Sequence, residues 1–316
     1  MNHKVKLSLL AVLALALIAL FMFINAGGNW SYVLPKRGVK ILAIAVTGAA
    51  IAFSTVVFQT ITNNRILTPS IIGLDSLYML LQTFIIFFYG SMNIAVVNKN
   101  LNFVFSVGLM IVFALLLFKW LFRREGQNIY YLLLVGIIFG SLFGSLSTFM
   151  EVLIDPVEFQ VVQSKMFASF NNIQTGLLKI SIAGLLLTTL YCLRFIKYLN
   201  VISLGRDQAT NLGVPYDYVV KRLLIAVAVF ISIATALVGP ITFLGLLVVN
   251  VAYQMFQTYR HGILIIGSIL IGIIALVGGQ LIVERIFTFS TTISVIINFV
   301  GGVYFLYLLL KERKAW

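Results

Sequence analysis

Hydrophobic residues run along this chain in long blocks, separated by short polar breaks. A block of roughly 20 apolar residues matches the length of an α-helix that crosses a hydrocarbon layer. Ten such segments are predicted, at 7–26, 39–60, 70–90, 102–122, 129–154, 175–196, 217–238, 241–257, 263–286 and 293–310. The eighth is short, and the third carries Asp75. The blocks lack the two-residue alternation of membrane barrel strands. A helix satisfies its own backbone polar groups where lipid cannot. The pattern therefore predicts an all-α polytopic membrane protein with about ten transmembrane helices.

Two polar breaks are longer than the others. Residues 155–174 mix acidic and apolar side chains and read first as an ordered loop, with a short surface helix as the alternative. Residues 202–213, ISLGRDQATNLG, read differently. Gly205 and Gly213 bracket about two turns of helix-compatible residues, and Pro215 follows just beyond the stop. A short polar helix between lipid-crossing blocks needs a partner outside the bilayer.

Composition agrees with a membrane solvent. Hydrophobic residues make up 61% and charged residues 10% of the chain, with a mean hydropathy of +1.08. A soluble domain carries about 25% charged residues. The net charge of +13 would suggest nucleic acid in a soluble protein, but its distribution points to topology. With the N-terminus inside and ten alternating spans, both termini are cytoplasmic. Fifteen basic residues then face inside and seven outside, in the direction of the positive-inside rule. Most read as orientation signals and lipid headgroup contacts, with no nucleic-acid partner. The first block follows Lys4 and Lys6 and ends Asn25-Ala26-Gly27-Gly28. It is too long for a signal-peptide core and is read as a retained span. No linker interrupts the chain, so residues 1–316 read as a single transmembrane domain.

Candidate chemistry is sparse. Cys192 is the one cysteine, and His3 and His261 are far apart. There is no metal cluster and no G-x-x-x-x-G-K-[ST] loop. No catalytic residue, cofactor or metal is assigned, and any ATP hydrolysis falls to another subunit. Gly136, Gly140 and Gly144 stand four apart, which suits close helix approach or the wall of a path for a bulky solute. Asp75 and Lys179 lie near span ends and are read as reaching the interface; Glu151 lies near the outer end of the fifth. No chain of midplane carboxylates is visible, which argues against an ion-coupled carrier. No clustered polar site argues for a membrane enzyme.

The C-terminal half carries a more specific pattern. LGRDQATNLGV, with Leu204, Gly205, Ala209, Leu212, Gly213 and Val214, is followed by a span and then VGPITFLGLLVVNV. Gly239, Ile241, Phe243, Gly245, Leu246 and Leu247 fit a second motif there. The N-terminal half adds Gly48, Ala49, Ala50, Ala52, Gln59, Asn64, Leu67, Pro69 and Gly73, and the chain closes with GGVYFLYLLLK. In order and spacing these resemble the permease family of binding-protein-dependent ABC importers for iron chelates and vitamin B12, over nearly all of 37–311. Departures are local. Val249-Asn250 stand where the family has Pro-His, and Asn64-Arg65-Ile66-Leu67 where it has Asn-Pro-Leu. Gly279-Gln280 replace an alanine-aspartate pair, and Thr292 replaces a proline. They resemble the divergent member of importers built from two different permeases, notably for catecholate siderophores.

The resemblance implies ten helices per subunit, two subunits around a central path, and a bacterial cell membrane location. It implies cytoplasmic ATP-binding subunits, a second, paralogous permease and an extracytoplasmic solute-binding protein as partners. Residues 202–213 would form the helix that couples to the ATPase. Leu204, Ala209 and Leu212 would bury in its groove, Arg206 and Asp207 would make rim contacts, and Gly205 and Gly213 would bracket the helix. Arg37, Lys40 and Arg285 would receive carboxylates of the binding protein. The implied cargo is an iron–siderophore complex, with a corrinoid or haem as the alternative within the family.

Overall fold

The computed structural model describes residues 2–24, 30–90, 98–121, 129–171 and 173–312. They form α1 (His3–Phe23), α2 (Trp30–Thr62), a 3-10 turn (Pro69–Ile72), α3 (Leu74–Tyr89), α4 (Lys99–Leu121), α5 (Ile129–Leu153) and α6 (Pro156–Met166). There follow α7 (Thr175–Ile202), α8 (Arg206–Asn211), α9 (Tyr216–Val238), α10 (Leu244–Phe256), α11 (His261–Arg285) and α12 (Ile293–Glu312). No strand occurs among the described residues. The all-α expectation holds. Seven helices, α1, α2, α4, α5, α7, α9 and α11, are long and apolar enough to cross a membrane. The shorter apolar helices α3, α10 and α12 occupy the remaining predicted blocks. Of the residues in the charge balance, Arg123, Arg124, Arg313 and Lys314 lie outside the described residues, as does 25–28.

The core is built around α2 and α9, the two most buried spans. From Ala43 onward α2 is buried on nearly every face. It packs against α11 and α9, and also touches α7, α10 and α1. Its crossing with α11 is tight: a Cβ on Gly272 would sit 3.4 Å from the Gly48 carbonyl oxygen. By contrast α1 buries only Leu10, Ala14 and Phe21, one stripe of an otherwise exposed apolar helix.

Residues 155–174, read first as a loop, contain the helix α6. The signal was local. Asp155 caps it by accepting from the Val157 N–H at 2.9 Å, and Pro156 occupies its first turn.

Asp75 does not reach an interface. The chain turns back after α2, and Gly73, with φ +86°, lets it start α3 deep in the bundle. Gly73 lies against Gly136 and Gly140, well inside the length of α5. Gly136 and Gly140 therefore admit a backbone, but it is the 3-10 turn as well as helix α3 that they admit. A Cβ on Gly136 would meet the Ile71 carbonyl oxygen at 2.6 Å, whereas one on Gly144 would meet nothing within 4 Å. Gly136→Val is expected to lower the thermal stability of the purified protein steeply, while Gly144→Ala leaves it unchanged or slightly raised, both read from unfolding curves in detergent.

Candidate coupling and docking surfaces

The helices leave two ends to the bundle. One gathers the C-terminus of α1, the start of α2, residues 167–171 and the end of α11. The other gathers the start of α1, the end of α2, the end of α10, α8 and the start of α11. At the second end His3 lies beside Phe256, and Lys6 donates to the Met255 carbonyl.

The structure brings Arg37, Lys40 and Arg285 together at the first end. Their charges are already engaged there. Arg37 donates to the carbonyl oxygens of Phe21, Met22 and Ile24 at 3.0, 2.8 and 2.8 Å. Arg285 donates to the Ile24 carbonyl at 2.9 Å. The last carbonyls of a helix lack intrahelical donors and carry partial negative charge, so two guanidinium groups there satisfy both needs. Lys40 pairs with Glu284 at 2.6 Å and donates to Asn171 at 3.0 Å. Gln280 closes this network by donating to Glu284 at 2.9 Å and Asn171 at 3.3 Å.

Sequence reasoning missed Glu284, Asn171 and the role of Gln280. The signal was present in Gln280 and Glu284 standing one helical turn apart. The same end holds a cavity of about 800 Å³ lined by Lys36, Arg37, Lys40, Lys99 and Glu284 among others. Nearby, Lys165 on α6 is pushed below the usual lysine range, first by burial and then by the charge of Lys99. The end is strongly electropositive.

At the other end, residues 206–211 form the short helix α8. Gly205 precedes it at φ +99° and Gly213 follows at φ +81°, positions where a side chain would be strained. Ala209 is fully buried against the chain itself. Its carbonyl accepts from the Val214 N–H at 3.0 Å, and Val214 is also buried. Ala209 therefore anchors α8 to its own bundle rather than facing outward. Leu204 and Leu212 are exposed, at 55% and 65%, and they alone of the three apolar positions are open to a partner. Arg206 pairs with Asp217 at the start of α9 at 3.0 Å. That pair is solvent-exposed and orients the loop more than it stabilises it.

Asn250 and Arg65, two departures from the family motifs, meet in the same half. The Arg65 carbonyl accepts from Gln59 at 2.7 Å and from Asn250 at 2.9 Å. The break after α2 is thus satisfied by side chains. Nearby, His261 binds Asn200 through Nδ1 at 2.8 Å and Thr60 through Nε2 at 2.9 Å, tying α2, α7 and α11. No group of three His, Cys, Asp or Glu that could hold a metal occurs among the described residues.

An exposed polar helix at one end and an electropositive face at the other frame a bundle of apolar helices, and the sequence that builds them matches a transport family model. Residues 5–311 match the FecCD transport family. The chain belongs to this family. As a FecCD member it is a multi-pass membrane protein. It is 62% identical over 316 residues, all of both chains, to the petrobactin import system permease YclO of Bacillus subtilis (strain 168). It is 38% identical to the petrobactin import permease FatC of Bacillus anthracis, covering 89% of this chain and 79% of that one. The permease FatD of the same organism is 28% identical, over 87% of this chain and 80% of its own length. Among solved structures, a chain of an inward-facing metal-chelate type ABC transporter superposes with a TM-score of 0.85, covering 98% of this chain and 100% of that one at 21% identity. That likeness supports the fold.

Arg37→Ala, with Arg285 still serving the Ile24 carbonyl, strips the side-chain donor from the Phe21 and Met22 carbonyls. It is expected to cost about 1–3 kcal/mol of stability, whereas Lys36→Ala costs little. Unfolding curves of the two purified variants check the difference.

Proposed function

We propose that this chain is one of two permease subunits of an ABC importer that carries an iron–siderophore complex across the bacterial cell membrane, with petrobactin as the candidate siderophore. The observation that carries this reading is the identity to YclO along the whole of both chains. Ten helices cross the membrane, the seven long ones with α3, α10 and α12, and both termini are cytoplasmic. The excess of basic residues on that side supports this orientation. ATP is hydrolysed on a separate subunit.

The second permease is a paralogue of this chain. Bacillus anthracis has two petrobactin import permeases, FatC and FatD, and the chain resembles one distinctly more than the other. Such divergence suits a heterodimer in which each permease keeps its own position.

The segment from Leu204 to Gly213 is the ATPase-coupling element. Leu204 and Leu212 supply the apolar contact, Asp207 a rim charge, and Arg206 the brace to α9. Ala209 and the two glycines set the loop's pose. Movement of the ATPase subunits is transmitted through this loop to α7 and α9, which it joins, as a rigid-body change. At the opposite end, Arg37 and Arg285 shape the docking face through the α1 C-terminus. Lys40 offers its charge when a carboxylate of the binding protein replaces Glu284. Rim charges of this kind set orientation and encounter rate more than affinity.

Deletion of the gene is expected to abolish uptake of radiolabelled iron–petrobactin and to leave cobalamin uptake intact; the reverse pattern would assign a corrinoid importer. Leu212→Arg is expected to reduce iron–petrobactin uptake to the level of the deletion strain with an unchanged amount of protein in the membrane. Wild-type uptake by that variant would reject the coupling role.

A further inference from the structure

Asp75 lines a partly open void of about 10 Å³ where the chain breaks twice, before α3 and between α9 and α10. That is room for one water or one small ion. Oxygen-bearing side chains surround it: Thr55, Thr68, Ser70, Asp75, Thr235 and Thr242. The Thr235 hydroxyl donates to the Asp75 carboxylate at 2.8 Å, and the Ser70 hydroxyl also hydrogen-bonds to it. Thr55 lines the same void, is fully buried, and its hydroxyl has no hydrogen-bond partner. Gly245 makes room for that hydroxyl, since a Cβ there would lie 2.2 Å from it.

Burial penalises a lone charge on this carboxylate, and its surroundings offset only part of that cost. The carboxylate sits in the first turn of α3, where the helix dipole favours negative charge, and two hydroxyls donate or are positioned to donate to it. No basic residue lines the void. An ionised carboxylate inside an apolar bundle needs a counter-charge. Thr55 supplies an oxygen that nothing in the chain uses. One carboxylate with several neutral oxygens is a hard, singly charged donor set, and a void of about 10 Å³ has no room for the waters that magnesium keeps. The small void favours sodium over the larger potassium ion. Asp75 keeps partial exposure and Thr242 is exposed, so the void is open to an arriving ion.

We propose that the Asp75 void binds a single sodium ion, which clamps the break before α3 to α2, α9 and the α9–α10 break. This holds whichever solute the permease carries, because the ion joins elements within one subunit.

The test is thermal unfolding of the purified chain in detergent, titrated with NaCl, KCl or choline chloride at constant ionic strength. The expected result is a saturable rise in Tm with NaCl that KCl and choline chloride do not reproduce. Asp75→Asn abolishes the sodium dependence, and Thr55→Val moves its midpoint to higher sodium. Equal Tm in the three salts overturns the proposal and assigns the void to water and a neutral acid. So does a sodium effect that survives Asp75→Asn. Should that variant not fold, an unchanged sodium midpoint in Thr55→Val overturns it alone.

Discussion

Backbone groups freed at a helix break have no water to turn to inside this bundle, and satisfying them organises the structure. An unpaired buried amide or carbonyl costs on the order of a hydrogen bond or more. Several breaks are met by groups that reach across from other elements. The end of α1 is held by Arg37 and Arg285. The break after α2 is held by Gln59 and Asn250 on the Arg65 carbonyl. At the α9 terminus, the Val238 carbonyl accepts from the Ser169 N–H at 2.8 Å, and Ser294 accepts from the neighbouring Ala168 N–H at 3.1 Å. These caps cross the bundle, so breaking the helices binds the elements together instead of loosening them.

The same constraint divides labour at the two ends. Cations that would be docking charges by sequence alone serve as caps and ion-pair partners within the chain. On the coupling side, Ala209 and Val214 tie α8 down, which leaves Leu204 and Leu212 as the exposed apolar pair. A loop pinned at its centre and exposed at its edges suits the proposed coupling role, since a push on it reaches α7 and α9, which it joins.

Much of this was legible in the chain. All ten hydrophobic blocks fall on helices; seven have the length that hydrocarbon thickness sets, and α3, α10 and α12 are shorter. The glycines at 205 and 213 marked both ends of α8. The orientation of α8 was not legible: six residues are too few for periodicity to tell an inward Ala209 from an outward one. The partners of Arg37 were hidden for a different reason, since they are carbonyls, which every residue has. Asp75 was misplaced because a span that starts in mid-bundle looks, in sequence, like one that starts at its edge. For α6 the signal was there in Asp155-Pro156 and was outweighed by the mixed polarity of residues 157–166. Asn250 and Gln280, which read as losses from the family motifs, turned out to carry new hydrogen bonds at the breaks and at the Lys40–Glu284 pair.

Coupling rests on the exposed edge of α8 being the surface that meets the ATP-binding subunit. Cys192 is the chain's one cysteine and is buried, so a cysteine placed at Leu212 gives a clean accessible label. Maleimide labelling of Leu212→Cys in membrane vesicles, with and without the ATP-binding subunit, tests the claim directly. Strong labelling of the permease without the ATP-binding subunit, and protection when the complex forms, is the predicted result. Equal labelling in both states, with the complex shown to be intact, would contradict it.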